Sequence, residues 1–110
     1  MSGHDDSRTR VERLRGEIDI ASVPALERRL MDVPNTLHEL ILDLSAVTYL
    51  DSSGIRLLHD LHDRLELRGQ RLVVVSPTGT GPRRVLDLTG FGERVPLEDS
   101  VRDGCRAGPI

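Results

Sequence analysis

The densest apolar patterning runs from Leu40 to Leu67. Leu40-Ile41-Leu42-Asp43-Leu44 is almost continuous in aliphatic side chains, as expected of a strand covered on both faces, and Val47 to Leu50 extends it after a break. After Asp51-Ser52-Ser53-Gly54 the period changes. Ile55, Leu58, Leu61 and Leu65 recur at helical spacing, Leu57 widens the stripe, and Gly69 supplies a C-terminal stop. Arg71-Leu72-Val73-Val74-Val75-Ser76 then reads as a second doubly buried strand. The three segments predict a βαβ unit, whose right-handed crossover makes its strands parallel.

The flanking segments extend the alternation. Val11 to Leu14 predicts an edge strand, although these two residues do not share a face under strict alternation. Gly16-Glu17-Ile18-Asp19 is expected to turn into a helix with Ser22 as its N-cap, Pro24 in its first turn, and Leu26, Leu30 and Val33 as its buried stripe up to Pro34. Beyond the loop Pro77 to Pro82, Arg83 to Leu88 predicts a short helix closed by Gly90, with Phe91 folding back over its end. Val95 to Leu97 suggests a last short strand, and Ser100 the cap of a final helix that frays from Gly104. Strands and helices thus alternate through the chain, which implies a small α/β sheet with helices packed mainly on one side. Residues 1–9, polar after Met1, read as a flexible tail, and residues 10–110 as one domain.

Composition narrows the chemistry. The 110 residues include one Phe, one Tyr and no Trp, so the core is aliphatic and base-stacking platforms are missing. A net charge of −3 also argues against a nucleic-acid partner. The lone Cys105 rules out an internal disulfide and reads as a bystander thiol. No segment has the apolar length of a membrane span, and the first ten residues are too polar for a signal peptide, so a cytoplasmic location is expected.

The richest chemistry lies at the strand-to-helix corner. The first N–H groups of a helix lack internal partners and carry partial positive charge, so Ser52 or Ser53 could serve as an N-cap or carry a phosphate that the helix end would stabilise. Asp51 alone could also cap the helix. Gly54 is expected to leave the surface beside Ser53 bare, open to a partner's backbone.

Other constellations are less specific. His59 and His62, three residues apart beside Asp60 and Asp63, have a spacing that could hold a metal, but they are expected on or near the solvated face without a third ligand. Thr78-Gly79-Thr80-Gly81 lacks the lysine of a phosphate-binding loop and is followed by Pro82. Arg83 and Arg84 read as solvated helix positions. A serine hydrolase would need a base near Ser53 and a glycine-serine-glycine elbow; the elbow is absent, and His59 lies more than a turn along the same helix.

Several of these segments together resemble the STAS family, the domain shared by sulfate transporters and bacterial anti-sigma factor antagonists. They are Gly16-Glu17-Ile18-Asp19, Leu40-Ile41-Leu42-Asp43-Leu44-Ser45, Val47-Thr48-Tyr49-Leu50-Asp51-Ser52-Ser53-Gly54-Ile55 and, more weakly, Arg84-Val85-Leu86-Asp87-Leu88 with Gly90. The resemblance implies a small mixed, mostly parallel sheet of four to five strands. It further implies a stand-alone antagonist with no catalysis, cofactor or metal of its own, present as a monomer or weak dimer. Its expected partners are an anti-sigma factor that is also an ATPase-type serine kinase, and a PP2C-type phosphatase; neither nucleic acid nor membrane is expected. Position by position, the family's phosphorylated serine falls on Ser53, and its partner surface on Asp19, Asp51, Ser52 and Gly54. A second reading within the same family is a non-phosphorylated scaffold subunit of a stressosome or a lipid-transport complex.

Overall fold

The aliphatic run from Leu40 is the spine of the sheet. In the computed structural model, which describes residues 8–101, it lies within β2 (Glu39–Leu50), flanked by β1 (Thr9–Ile18) and β3 (Arg71–Val75), with β4 (Leu97–Glu98) at the far edge. The order is β1-β2-β3-β4, and every neighbouring pair is parallel. Three crossover helices connect them: α1 (Val23–Met31), α2 (Ser52–Leu67) and α3 (Gly81–Leu88), with a 3-10 turn at Phe91–Glu93 leading into β4.

All three helices bury their apolar residues in one cluster with one face of the sheet. Leu30 of α1, Leu58, Leu61 and Leu65 of α2, and Leu86 of α3 meet Leu40, Leu42, Leu72 and Val74 there. On the opposite face Ile41, Val73 and Val75 form a smaller cluster, against which Val11 and Val101 pack. Both faces of β2 and β3 are therefore covered, which is why their sequences lack the alternation of a half-exposed strand.

The N-terminal strand differs from expectation. Gly16 to Ile18 does not turn; β1 continues to Ile18, with Gly16 at φ 78°. The cause lies in its neighbour. Between Arg13 and Arg15, and again between Gly16 and Glu17, β2 advances one residue more than β1, so twelve residues of β2 oppose ten of β1. Two β-bulges therefore interrupt the period of two. They also explain the break seen before Val47: buried positions pass from Leu44 to Val47 to Leu50 within one uninterrupted strand.

Local details also shift. α1 ends at Met31, before Pro34, so Val33 is buried in the following loop rather than on the helix. That loop is pinned by Arg68, which donates to the carbonyl of Val33 and to Asn35 Oδ1, and by Gln70, which donates to the carbonyls of Pro34 and Leu37 at 2.8 and 2.6 Å. α3 starts at Gly81, two residues early, because Thr80 Oγ1 accepts from the Arg83 amide as its cap. Gly90 takes the left-handed conformation at φ 72°, and Phe91 beyond it is fully buried. The final strand is Leu97–Glu98 rather than Val95 to Leu97; Val95 is a buried residue between the 3-10 turn and the strand. The final helix expected after Ser100 runs into residues outside those described, as does Cys105.

Candidate functional site

Two corners open at the same end of the sheet, where β1 and β2 finish side by side. The Asp51 amide donates to the Ile18 carbonyl at 3.2 Å, so the start of α2 is tied to the last residue of β1. The carboxyl ends of parallel strands are the usual place for recognition in open α/β sheets.

At the β2–α2 corner Asp51 is the N-cap. Its backbone is extended, and its Oδ1 accepts from the amides of Ser53 and Gly54 at 2.9 and 3.2 Å. Neither serine is therefore the cap. Ser52 is exposed and Ser53 half-buried in the first turn of α2, and among the described residues neither hydroxyl makes a hydrogen bond.

Gly54 does not open the surface next to Ser53, contrary to expectation. It is buried, and a Cβ there would lie 2.5 Å from Leu50 Cδ1, 2.8 Å from Ile18 Cγ2 and 3.2 Å from the Ile18 carbonyl oxygen. Its missing side chain lets α2 seat directly on the end of β1. Ser53 is thus positioned from beneath by a close contact between helix and strand.

At the β1–α1 corner Asp19 shapes the chain. Its Oδ1 accepts from the amides of Ala21 and Ser22, both at 3.1 Å, and its carbonyl accepts from Ser22 and Val23. Ser22, the cap expected from sequence, makes no side-chain capping bond to α1; its Oγ instead accepts from the Asp19 amide at 3.0 Å. The tightened loop leaves Ile20 largely in solvent, 76% exposed. Between the corners lies a groove of about 450 Å³ lined by Ile20, Val23, Pro24, Ser52, Ser53 and Arg56. One wall is apolar; the other carries two hydroxyls and one guanidinium. The structure thus brings Ser52 and Ser53 into one groove and uses Asp19, Asp51 and Gly54 to build its walls.

Remaining candidates fall elsewhere. His59 is half-buried: its ring packs on Phe91 with centroids 4.9 Å apart, and among the described residues its buried Nδ1 has no hydrogen-bond partner. One potential ligand atom each from His62, Asp63 and Glu66 lies within 4.8 Å of the others, but Arg94 already holds Asp63 at 2.9 Å. In the Thr78 to Gly81 loop the Thr78 amide and hydroxyl both bond Asp99 Oδ1, so these two donors are already engaged. Arg83 is half-buried rather than solvated. It ties the Ser76 carbonyl, Asp87 and Asp99 together; the four-residue spacing to Asp87 shows in the sequence, whereas the bonds to Ser76 and Asp99 do not. Those bonds hold the Asp99 carboxyl below its ordinary value, the Thr78 hydrogen bonds contributing most and the Arg83 charge less.

A family model described as the STAS domain matches residues 4–104. The anti-sigma-F factor antagonist RsfB of Mycobacterium tuberculosis is 32% identical over 100 residues, spanning 86% of this chain and 80% of RsfB. The crystal structure of an anti-sigma factor antagonist from Mycobacterium paratuberculosis is similar with a TM-score of 0.73 and 32% identity, over 96% of this chain and 88% of that one. A probable sulfate transporter 3.4 of Arabidopsis thaliana is 44% identical over 45 residues; the match spans 41% of this chain and only 7% of the transporter. Among the described residues, no helix is long and apolar enough to cross a membrane.

Proposed function

Since the chain belongs to the STAS domain family, we propose that it is an anti-sigma factor antagonist switched by phosphorylation of Ser53. The observation that carries this reading is the division of labour at the α2 corner. Asp51 does the capping, so the two serine hydroxyls in the groove have no structural task and are available to a partner. In its unphosphorylated form the protein binds a cytoplasmic anti-sigma factor across this end of the sheet, and the sigma factor is released.

The same partner, an ATPase-type serine kinase, ends the interaction. The γ-phosphoryl group of ATP passes to Ser53 Oγ: the bond to the bridging oxygen of ADP breaks, the Oγ–P bond forms, and the hydroxyl proton goes to the kinase's base. The product carries about −1.5 to −2 additional charge and a hydrated group where the surfaces must close. If desolvating it costs about 3 kcal/mol, affinity falls more than roughly a hundredfold. A PP2C-type phosphatase restores the hydroxyl by hydrolysis. Asp19, Asp51 and the Gly54 contact contribute by holding the two walls of the groove in place, and Ser52 offers its exposed hydroxyl to the partner.

The test is incubation with the cognate kinase and ATP, followed by mass-spectrometric mapping. Phosphate at Ser53 is expected; its absence, or its placement away from this corner, would end the proposal. In the binding assay Ser53→Ala should hold the kinase and resist release while Ser53→Glu binds poorly, and equal affinities would show that charge at this corner is not the switch.

A further inference from the structure

A phosphate on Ser53 would meet an unusual setting. The amides of Ser53 and Gly54, which a first-turn anion would ordinarily take, are already given to Asp51 Oδ1. Asp51 is also an anion at the same turn. The helix end, expected from sequence to stabilise the modified serine, therefore offers a phosphate little.

Arg56 stands three residues after Ser53 and four after Ser52. Side chains of an α-helix lean toward its N-terminus, so Arg56 covers the turn that carries both serines, and positions three or four apart lie about 5–6 Å from each other at Cβ. Arg56 is exposed, and among the described residues no hydrogen bond or ion pair engages its guanidinium. Among the described residues it is also the one charged side chain lining the groove. Asp51 caps the same turn, Asp60 follows Arg56 by four residues on α2, and Asp19 shapes the other corner, while α1 places no charged side chain in the lining.

We propose that Arg56 is the phosphate receptor of this corner, its guanidinium closing on the oxygens of phosphorylated Ser53 from within the same helix. Planar guanidinium groups take phosphate oxygens in pairs, which an exposed, unengaged arginine is free to do. The modification then changes two charges in the groove at once: a dianion arrives, and the cation that a partner would have met is withdrawn onto it. This inference rests on the reading of Ser53 as the phosphorylation site.

It is tested without the kinase, on full-length protein with phosphoserine installed at Ser53 during translation. Phosphorus NMR follows the second ionisation of the phosphate, near about pH 6, in the otherwise unaltered chain and in Arg56→Gln and Arg56→Lys. At low salt the Arg56→Gln midpoint should lie higher by roughly half a pH unit, with Arg56→Lys between the two, and about 1 M salt should remove the difference. Identical midpoints for the arginine and glutamine proteins at low salt would overturn the proposal. Failure of the kinase to modify Ser53 is a separate result: it would remove the proposed switch and leave this titration unchanged.

Discussion

Replacing Gly54 with alanine sets two opposing effects against each other. Inside a helix alanine is favoured over glycine by about 1 kcal/mol, so an unconstrained site would gain stability. Here the new methyl would stand 2.5 Å from Leu50 Cδ1, 2.8 Å from Ile18 Cγ2 and 3.2 Å from the Ile18 carbonyl oxygen. The Leu50 methyl can rotate away. Ile18 cannot follow easily, because its side chain is β-branched and its backbone is held in register with Leu50 and bonded to the Asp51 amide. Overpacking of this kind typically costs about 1–3 kcal/mol. Since the contact includes backbone, the cost should lie at about 2–3 kcal/mol, in the upper part of that range, and leave a net loss of about 1–2 kcal/mol after the propensity gain. With a urea slope of about 1–3 kcal/mol/M for a small domain, the unfolding midpoint should fall by roughly 0.3–2 M. A midpoint equal to or above that of the parent protein would refute the reasoning, since the space beneath α2 would then have to be larger than described.

Removing the cap by Asp51→Ala should cost about 1 kcal/mol in thermal or urea unfolding, whereas Asp51→Asn, which can accept the same amides, should cost far less. For Asp99 the sign follows from its lowered folded-state value: stability is fully present above the ordinary value of 3.8 and lost as pH falls through the folded one. Asp99→Asn should therefore be less stable than the parent at neutral pH, and the gap should narrow only below pH 3.8 in a pH series of melting temperatures. A gap that stayed constant into strong acid would point to shape rather than charge.

The sequence disclosed most where burial is complete. The β2 and β3 runs and the α2 stripe are written in aliphatic residues because both sheet faces and the inner helix face exclude water. β1 was harder to see: it is an edge strand, and Arg15, Gly16 and Glu17 stand exposed between its buried residues Leu14 and Ile18. Bulges in its partner do not show in its own pattern. At the candidate site the serines, Asp51 and Asp19 were visible as residue types, but their division of roles was not. Whether aspartate or serine caps a first turn depends on φ and ψ at one residue, and the purpose of Gly54 depends on a strand thirty-six positions earlier in the chain, at Ile18. Arg83 and Arg56 were invisible for the same reason, since one surface arginine resembles another until its neighbours are placed.

The two surplus residues of β2 act as a spacer between the serine corner and the edge strand. Each bulge reverses which face the following residues point to, and the pair restores it, so Leu50 points the same way as Leu40, Leu42 and Leu44. Chain length in this strand is therefore quantised. Loss of a single residue would turn the last segment inside out, while loss of one at each bulge would keep every side chain on its proper face but draw Ser52 and Ser53 back by about 7 Å, at roughly 3.3 Å per residue. The groove would lose one wall with the core still intact, so drift in strand length could change recognition without first destroying the fold.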